Sequence, residues 1–153
     1  MKGASAVAGL LLGSSIATIV ACSHVQTPSQ LDVTIAKHDQ ITKLWIQIRD
    51  WRDDNQWDRD PPNPLMQFVR GKRVREGIKA CPVQQPTACN DVCSAGDQIC
   101  DNAERICEIA DELGKDDHFA QQKCTSAKAS CVEAQQRCCE CSTKPPASTE
   151  GTL

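Results

Sequence analysis

Between residues 35 and 54 the apolar positions Ile41, Leu44, Trp45 and Ile48 recur at steps of three and four, so they share one face of a helix. Leu44, Ile46 and Ile48 also alternate, which leaves a strand open over the same stretch. Asp60-Pro61-Pro62-Asn63-Pro64 then breaks regular structure. Asn63 followed by Pro64 forms a helix start: a capping side chain, then a proline whose missing N–H costs nothing there. Leu65, Phe68 and Val69 begin an apolar stripe that Val74 and Ile78 continue, with Gly71 weakening it. Farther on, Ile99, Ile106 and Leu113 repeat every seven residues among alanine, glutamate, glutamine and lysine, all good helix formers. Gly114 supplies a helix stop, and Asp116 or Asp117 can cap the helix that follows.

The cysteines carry the same period. Cys93, Cys100 and Cys107 are spaced by seven, and so are Cys124, Cys131 and Cys138. Seven residues are nearly two helical turns, so each trio lines one helix face with a drift of about 20° per heptad. Bonds within a trio are excluded. At 1.5 Å per residue the neighbours lie roughly 10 Å apart, beyond the Cα separation of about 7 Å that a disulfide tolerates. The bonds must cross between helices, and the short connection at 114–118 makes those helices antiparallel. Antiparallel partners have a constant index sum, and Cys93 with Cys138, Cys100 with Cys131 and Cys107 with Cys124 share one sum. This register predicts a hairpin with three disulfide rungs. Cys81, Cys89, Cys139 and Cys141 remain. Cys89 lies one turn before Cys93 and Cys141 lies close to its matching position, which suggests Cys89–Cys141. Cys139 sits about 100° around the helix from Cys138, which suggests Cys81–Cys139. Spacing alone does not fix these last two pairs.

Residues 1–21 have the order of a secretory signal: Lys2, an apolar run from Ala4 to Val20, and a small residue before a cut. The run is at the short edge for a membrane span, which needs about 20 residues. It ends in Ile19-Val20-Ala21-Cys22, which resembles the lipobox of bacterial lipoproteins. That resemblance implies cleavage before Cys22, diacylglycerol on its thiol and acylation of the new amine. Residue Ser23, in place of aspartate, implies the outer membrane rather than the inner one. With Cys22 lipidated, ten cysteines remain, and an even count in an exported chain favours a disulfide framework. The segments Ile-Cys-x-Ile-Ala-Asp-x-Leu at 106–113, Lys-Cys at 123–124 and Cys-Cys-x-Cys at 138–141 resemble uncharacterised cysteine-rich lipoproteins of myxobacteria. This likeness covers about 50 residues and implies no activity.

Composition bounds the rest. Loss of residues 1–21 removes Lys2 alone among the charged residues and shifts the net charge from −3 to −4. Three Trp, two Phe and no Tyr argue against a large packed core, so disulfides must supply part of the stability. Trp45, Trp51 and Trp57 could form a binding surface, but at helical spacing they are expected to pack on neighbouring helices. Arg70, Lys72, Arg73, Arg75 and Lys79 face only Glu76 in their own segment. They read as a solvated basic face, with anionic lipid or lipopolysaccharide as the functional alternative; an exported chain does not meet nucleic acid. The stretch 91–117 opposes it with nine acidic residues against Arg105 and Lys115, and the two segments can attract each other within the molecule.

Conventional catalysis finds little support. His24, His38 and His118 have no nucleophile partner visible in the sequence, and the carboxylates of 97–117 read as a solvated helix face. Cys138-x-x-Cys141 stands at a helix C-terminus beside Glu140, which disfavours a reactive thiolate. Metal storage is the main functional alternative. Cys89-x3-Cys93 puts two sulfurs on one helix face, soft Cu(I) and Zn(II) suit thiolates, and a bundle with inward cysteines is similar to bacterial copper-storage proteins. Two Met and three isolated His give it little further support, and the shared register favours disulfides. The expectation is therefore an all-α fold without cofactor or metal: a signal peptide at 1–21, a lipidated tether at 22–33, one or two helices within 34–80, a disulfide-stapled antiparallel hairpin at 81–141 and a disordered tail at 142–153. The expected role is structural or interaction-based in the bacterial cell envelope. The chain would meet the membrane through lipid on Cys22 and would meet an unknown protein or envelope partner.

Overall fold

A computed structural model of the chain describes residues 29–76, 78, 81 and 87–143. Four helices account for most of them: α1 (Gln30–Asp54), α2 (Asn63–Phe68), α3 (Asn90–Leu113) and α4 (His118–Thr143), with a 3₁₀ turn at Thr87–Cys89 leading into α3. No strand occurs among the described residues. The molecule is a disulfide-stapled helical hairpin, α3–α4, with α1 laid across both arms and α2 against α4.

Helix α1 starts inside the stretch expected to be a tether. Ser29 and Asp32 form a capping box: the Ser29 hydroxyl accepts from the Asp32 N–H, and the Asp32 carboxylate accepts from the Ser29 N–H, each at 3.2 Å. That reciprocal cap carries the helix back to Gln30. The 44–48 ambiguity also resolves. Ile48 is fully buried, Leu44 half-buried and Ile46 50% exposed, a distribution set by the helical face and not by alternation.

Helix α2 is shorter than its apolar stripe. Asn63 is its first residue and makes no cap; Pro62 occupies the N-cap. The helix ends at Phe68, and Gly71 turns the chain with φ +76°, a left-handed conformation that glycine adopts without strain. Val69 nevertheless packs on Ala129 and Val132 of α4, while Val74 and Ile78 reach the main core from irregular backbone.

The hairpin turn is built as the sequence suggests. Gly114 ends α3 with φ +93°, and the Asp117 carboxylate accepts from the Ala120 N–H at 3.0 Å to cap α4. Gln121 adds a lock, donating to the Ala110 and Gly114 carbonyls at 3.0 and 3.2 Å. Both carbonyls already accept a backbone N–H, from Gly114 and Asp117 respectively, so Gln121 fills their second lone pairs and ties α4 to the end of α3.

Beside the cysteines runs a second ladder of small residues. Gly96, Ala103 and Ala110 on α3 repeat every seven, as do Ala120, Ala127 and Ala134 on α4, and all six are buried. Their register places Gly96 opposite Ala134, Ala103 opposite Ala127 and Ala110 opposite Ala120. A Cβ built on Gly96 would stand 3.4 Å from the Ala134 carbonyl oxygen. Small side chains let two helix backbones come this close. Across the three rungs the Cα atoms are 4.7, 4.6 and 4.7 Å apart, so the arms neither splay nor converge. Ile99 and Ile106, one position before Cys100 and Cys107, point into the core shared with α1. Helix α1 and the hairpin thus share the largest buried cluster among the described residues.

Candidate functional site

Disulfides engage all ten described cysteines. Cys93–Cys138, Cys100–Cys131 and Cys107–Cys124 are the rungs of the hairpin. Cys89–Cys141 closes its open end, and Cys81–Cys139 joins the segment ahead of the 3₁₀ turn to α4. The structure makes the same five pairs that the sequence spacing suggests. Cys89, Cys93 and Cys138 form a small sulfur-rich core, with Cys81 and Cys141 packed against it. Cys22 and His24 lie outside the described residues, as does Lys79.

Helix α1 is held without any cysteine. Ile41, Trp45 and Ile48 are buried against Ile99, Ala103, Ile106 and Ala127, with Trp51 and Trp57 packed at the margin. The three tryptophans therefore serve packing. At the C-terminal end of α1, Arg52 is fully buried. Its Nε donates to the Asp58 carbonyl at 2.6 Å and its Nη2 to the Glu133 carboxylate at 2.8 Å. Nη1 finds no partner among the described residues, so the cost of burying this guanidinium is only partly offset. Glu133 also accepts from Arg137 at 2.7 Å, and Arg137 stands 5.0 Å over the Trp57 ring. Sequence reasoning did not find this network. Arg52 follows Ile48 by four residues, on the buried face, and that spacing was its one visible signal.

The opposite end of α1 reaches the hairpin turn. His38 Nε2 lies 2.7 Å from the Asp117 carboxylate, and its ring packs 4.7 Å from that of Phe119. The Ala120 N–H, and to a smaller degree His38, hold the Asp117 carboxyl below its ordinary value, with burial opposing. Lys37 pairs with Glu112 at 2.8 Å, and farther along α1 Gln47 accepts from Asn102 of α3 at 2.8 Å. Nearby, burial and then Arg49 lower the Lys123 pKa; its ammonium stands 5.0 Å over Trp45. His118 is exposed at the start of α4.

The basic and acidic segments do meet. Arg75 donates to Asp101 at 2.5 Å and to Glu104 at 2.7 Å, with Asp97 at 3.9 Å. Lys72 lies over the Phe68 ring, and its carbonyl accepts from Lys128 at 2.6 Å. Arg75 alone carries the pairing between the two segments, while Arg70 and Arg73 are exposed.

Among the described residues, no group of three His, Cys, Asp or Glu side chains is placed to hold a metal ion, and no helix is long and apolar enough to cross a membrane. Comparison with family models, with curated proteins and with solved structures finds no match for the chain.

Proposed function

We propose that the chain is an exported bacterial lipoprotein, anchored by lipid on Cys22, whose hairpin has a structural or interaction role in the cell envelope, at the outer membrane rather than the inner one. The carrying observation is the cysteine arithmetic. Ten cysteines pair among themselves and leave the eleventh, Cys22, unneeded by the framework. A five-disulfide framework suits an oxidising compartment, and the lipobox-like Ile19-Val20-Ala21-Cys22 gives the odd cysteine an occupation there. Copper or zinc storage would need thiolates, so these ten sulfurs would first have to be reduced.

The test is metabolic labelling of the full chain in a bacterial host with an alkyne fatty acid, followed by membrane fractionation. The wild-type chain should carry label and sediment with membranes. Cys22→Ala should lose both. Persistence of the label in Cys22→Ala would reject the anchor.

A further inference from the structure

We propose that Cys81–Cys139 is a thiol–disulfide exchange site, open to a small thiol of cysteine or tripeptide size through a groove on the face of α4. Of the five disulfides it alone has both cysteines half-buried; each of the others has at least one buried cysteine. Cys139 lines a groove of about 490 Å³ together with Phe68, Ile78, Val132, Gln135 and Glu140. That volume is in the range of small-ligand sites. Phe68 is 44% exposed at its rim. The proposal concerns the folded chain and holds whether or not Cys22 carries lipid.

The groove directs attack to Cys139. An incoming thiolate forms a bond to Cys139 Sγ as the Cys81–Cys139 bond breaks, and Cys81 departs with the electron pair and takes a proton from water. Leaving-group chemistry agrees with this polarity. Cys139 sits in the last turns of α4 beside Glu140, where the negative end of the helix disfavours a thiolate, so Cys81 is the better leaving sulfur. A second thiol can then attack the mixed disulfide. It releases the symmetric disulfide of the small thiol and leaves Cys81 and Cys139 reduced, so two thiols have supplied two electrons.

The competing site is Cys141, also half-buried and bonded to Cys89. Attack there would expel Cys89. The N-terminus of α3 favours a Cys89 thiolate, an effect confined to the first turn of the helix. Yet Cys89 is 0% exposed among other sulfurs, and full burial disfavours a charged thiolate. Burial outweighs the dipole, and exchange at Cys141 is slower.

The oxidised full chain should be exposed to limiting glutathione near pH 8, quenched with acid, alkylated and mapped by peptide mass. The expected first product carries glutathione on Cys139 and alkyl on Cys81, formed at least about tenfold faster than any adduct on the other eight framework cysteines. Glu140→Gln removes a negative charge beside the attack point and should speed that adduct about two- to threefold at low salt. The double variant Cys81→Ser/Cys139→Ser should keep its helicity and resist the same thiol. First adduct at Cys141, opening of all five bonds together, or uptake by the double variant at the wild-type rate would each overturn the assignment.

Discussion

Helix α1 and the α3–α4 hairpin share one core but are held by opposite means. The hairpin joins its arms with three rungs, and between them it places alanine and glycine. Burial of such small side chains contributes little, so the covalent bonds and the close backbone approach must do most of the holding. Closing a loop like that of Cys107–Cys124 stabilises by about 3 kcal/mol in the chain-entropy account, and nested bonds contribute less than their sum. Helix α1 has no cysteine. It relies on Ile41, Trp45 and Ile48, each contributing about 1.5–3 kcal/mol on burial, and on the Arg52–Glu133 pair. A chain poor in aromatics thus uses one tryptophan-centred patch where it has no disulfide, and small side chains along the seam where it has several.

Reduction is the strongest way to break the contrast. With all five disulfides reduced, the small-residue seam should not hold the hairpin, and the cooperative melt followed by circular dichroism should collapse; loss of even one native disulfide in a small domain costs about 2–5 kcal/mol. Next come two changes aimed at the contacts that seat α1 on the hairpin. Trp45→Ala should cost about 3–5 kcal/mol. Glu133→Ala, which leaves the buried Arg52 charge uncompensated, should cost a similar 3–5 kcal/mol or so. In both variants hydrogen exchange should accelerate across α1 while the amides of α3 between the rungs stay protected. Equal acceleration in both regions would show that α1 and the hairpin unfold as one unit.

The seam offers a smaller test with two signs. Gly96→Leu should destabilise by about 1–3 kcal/mol through overpacking against Ala134. Gly96→Ala places its Cβ at a tolerable 3.4 Å and should stabilise by under about 1 kcal/mol through helix propensity. Chemical denaturation of both variants reads the sign. The smallest effect is expected at the turn. Asp117 has its carboxyl held below 3.8 chiefly by the Ala120 N–H. Its contribution is therefore fully present above that ordinary value and is lost as pH falls through the lowered one. Asp117→Asn should flatten the fall of the melting temperature as pH drops below 3.8, leaving the pH 7 value nearly unchanged.

The hairpin was legible because its constraint is combinatorial. Seven-residue spacing fixes the face, the turn at Gly114 fixes the direction, and the two together fix the register of the rungs. The helix ends were less legible, since the Ser29–Asp32 capping box lies inside a stretch that the sequence offers as a tether. The α2 stripe misled because apolar periodicity at Val69, Val74 and Ile78 reports burial, which irregular backbone supplies as well. Burial of Arg52 was not legible. Its partner Glu133 lies 81 positions away, and a single charged residue at the end of an amphipathic face reads as solvated.

One consequence of the paired ladders concerns how such a hairpin can change length. Rungs, small seam and isoleucine stripe all share the seven-residue step, so each heptad of α3 with its opposite heptad of α4 is an interchangeable unit. Removing or adding one unit from both arms together preserves every remaining pairing, whereas an unequal change in one arm misaligns all rungs on one side of it. Insertions and deletions in such a gene would therefore survive in matched blocks of twenty-one nucleotides, and the length of the hairpin would be counted in whole rungs.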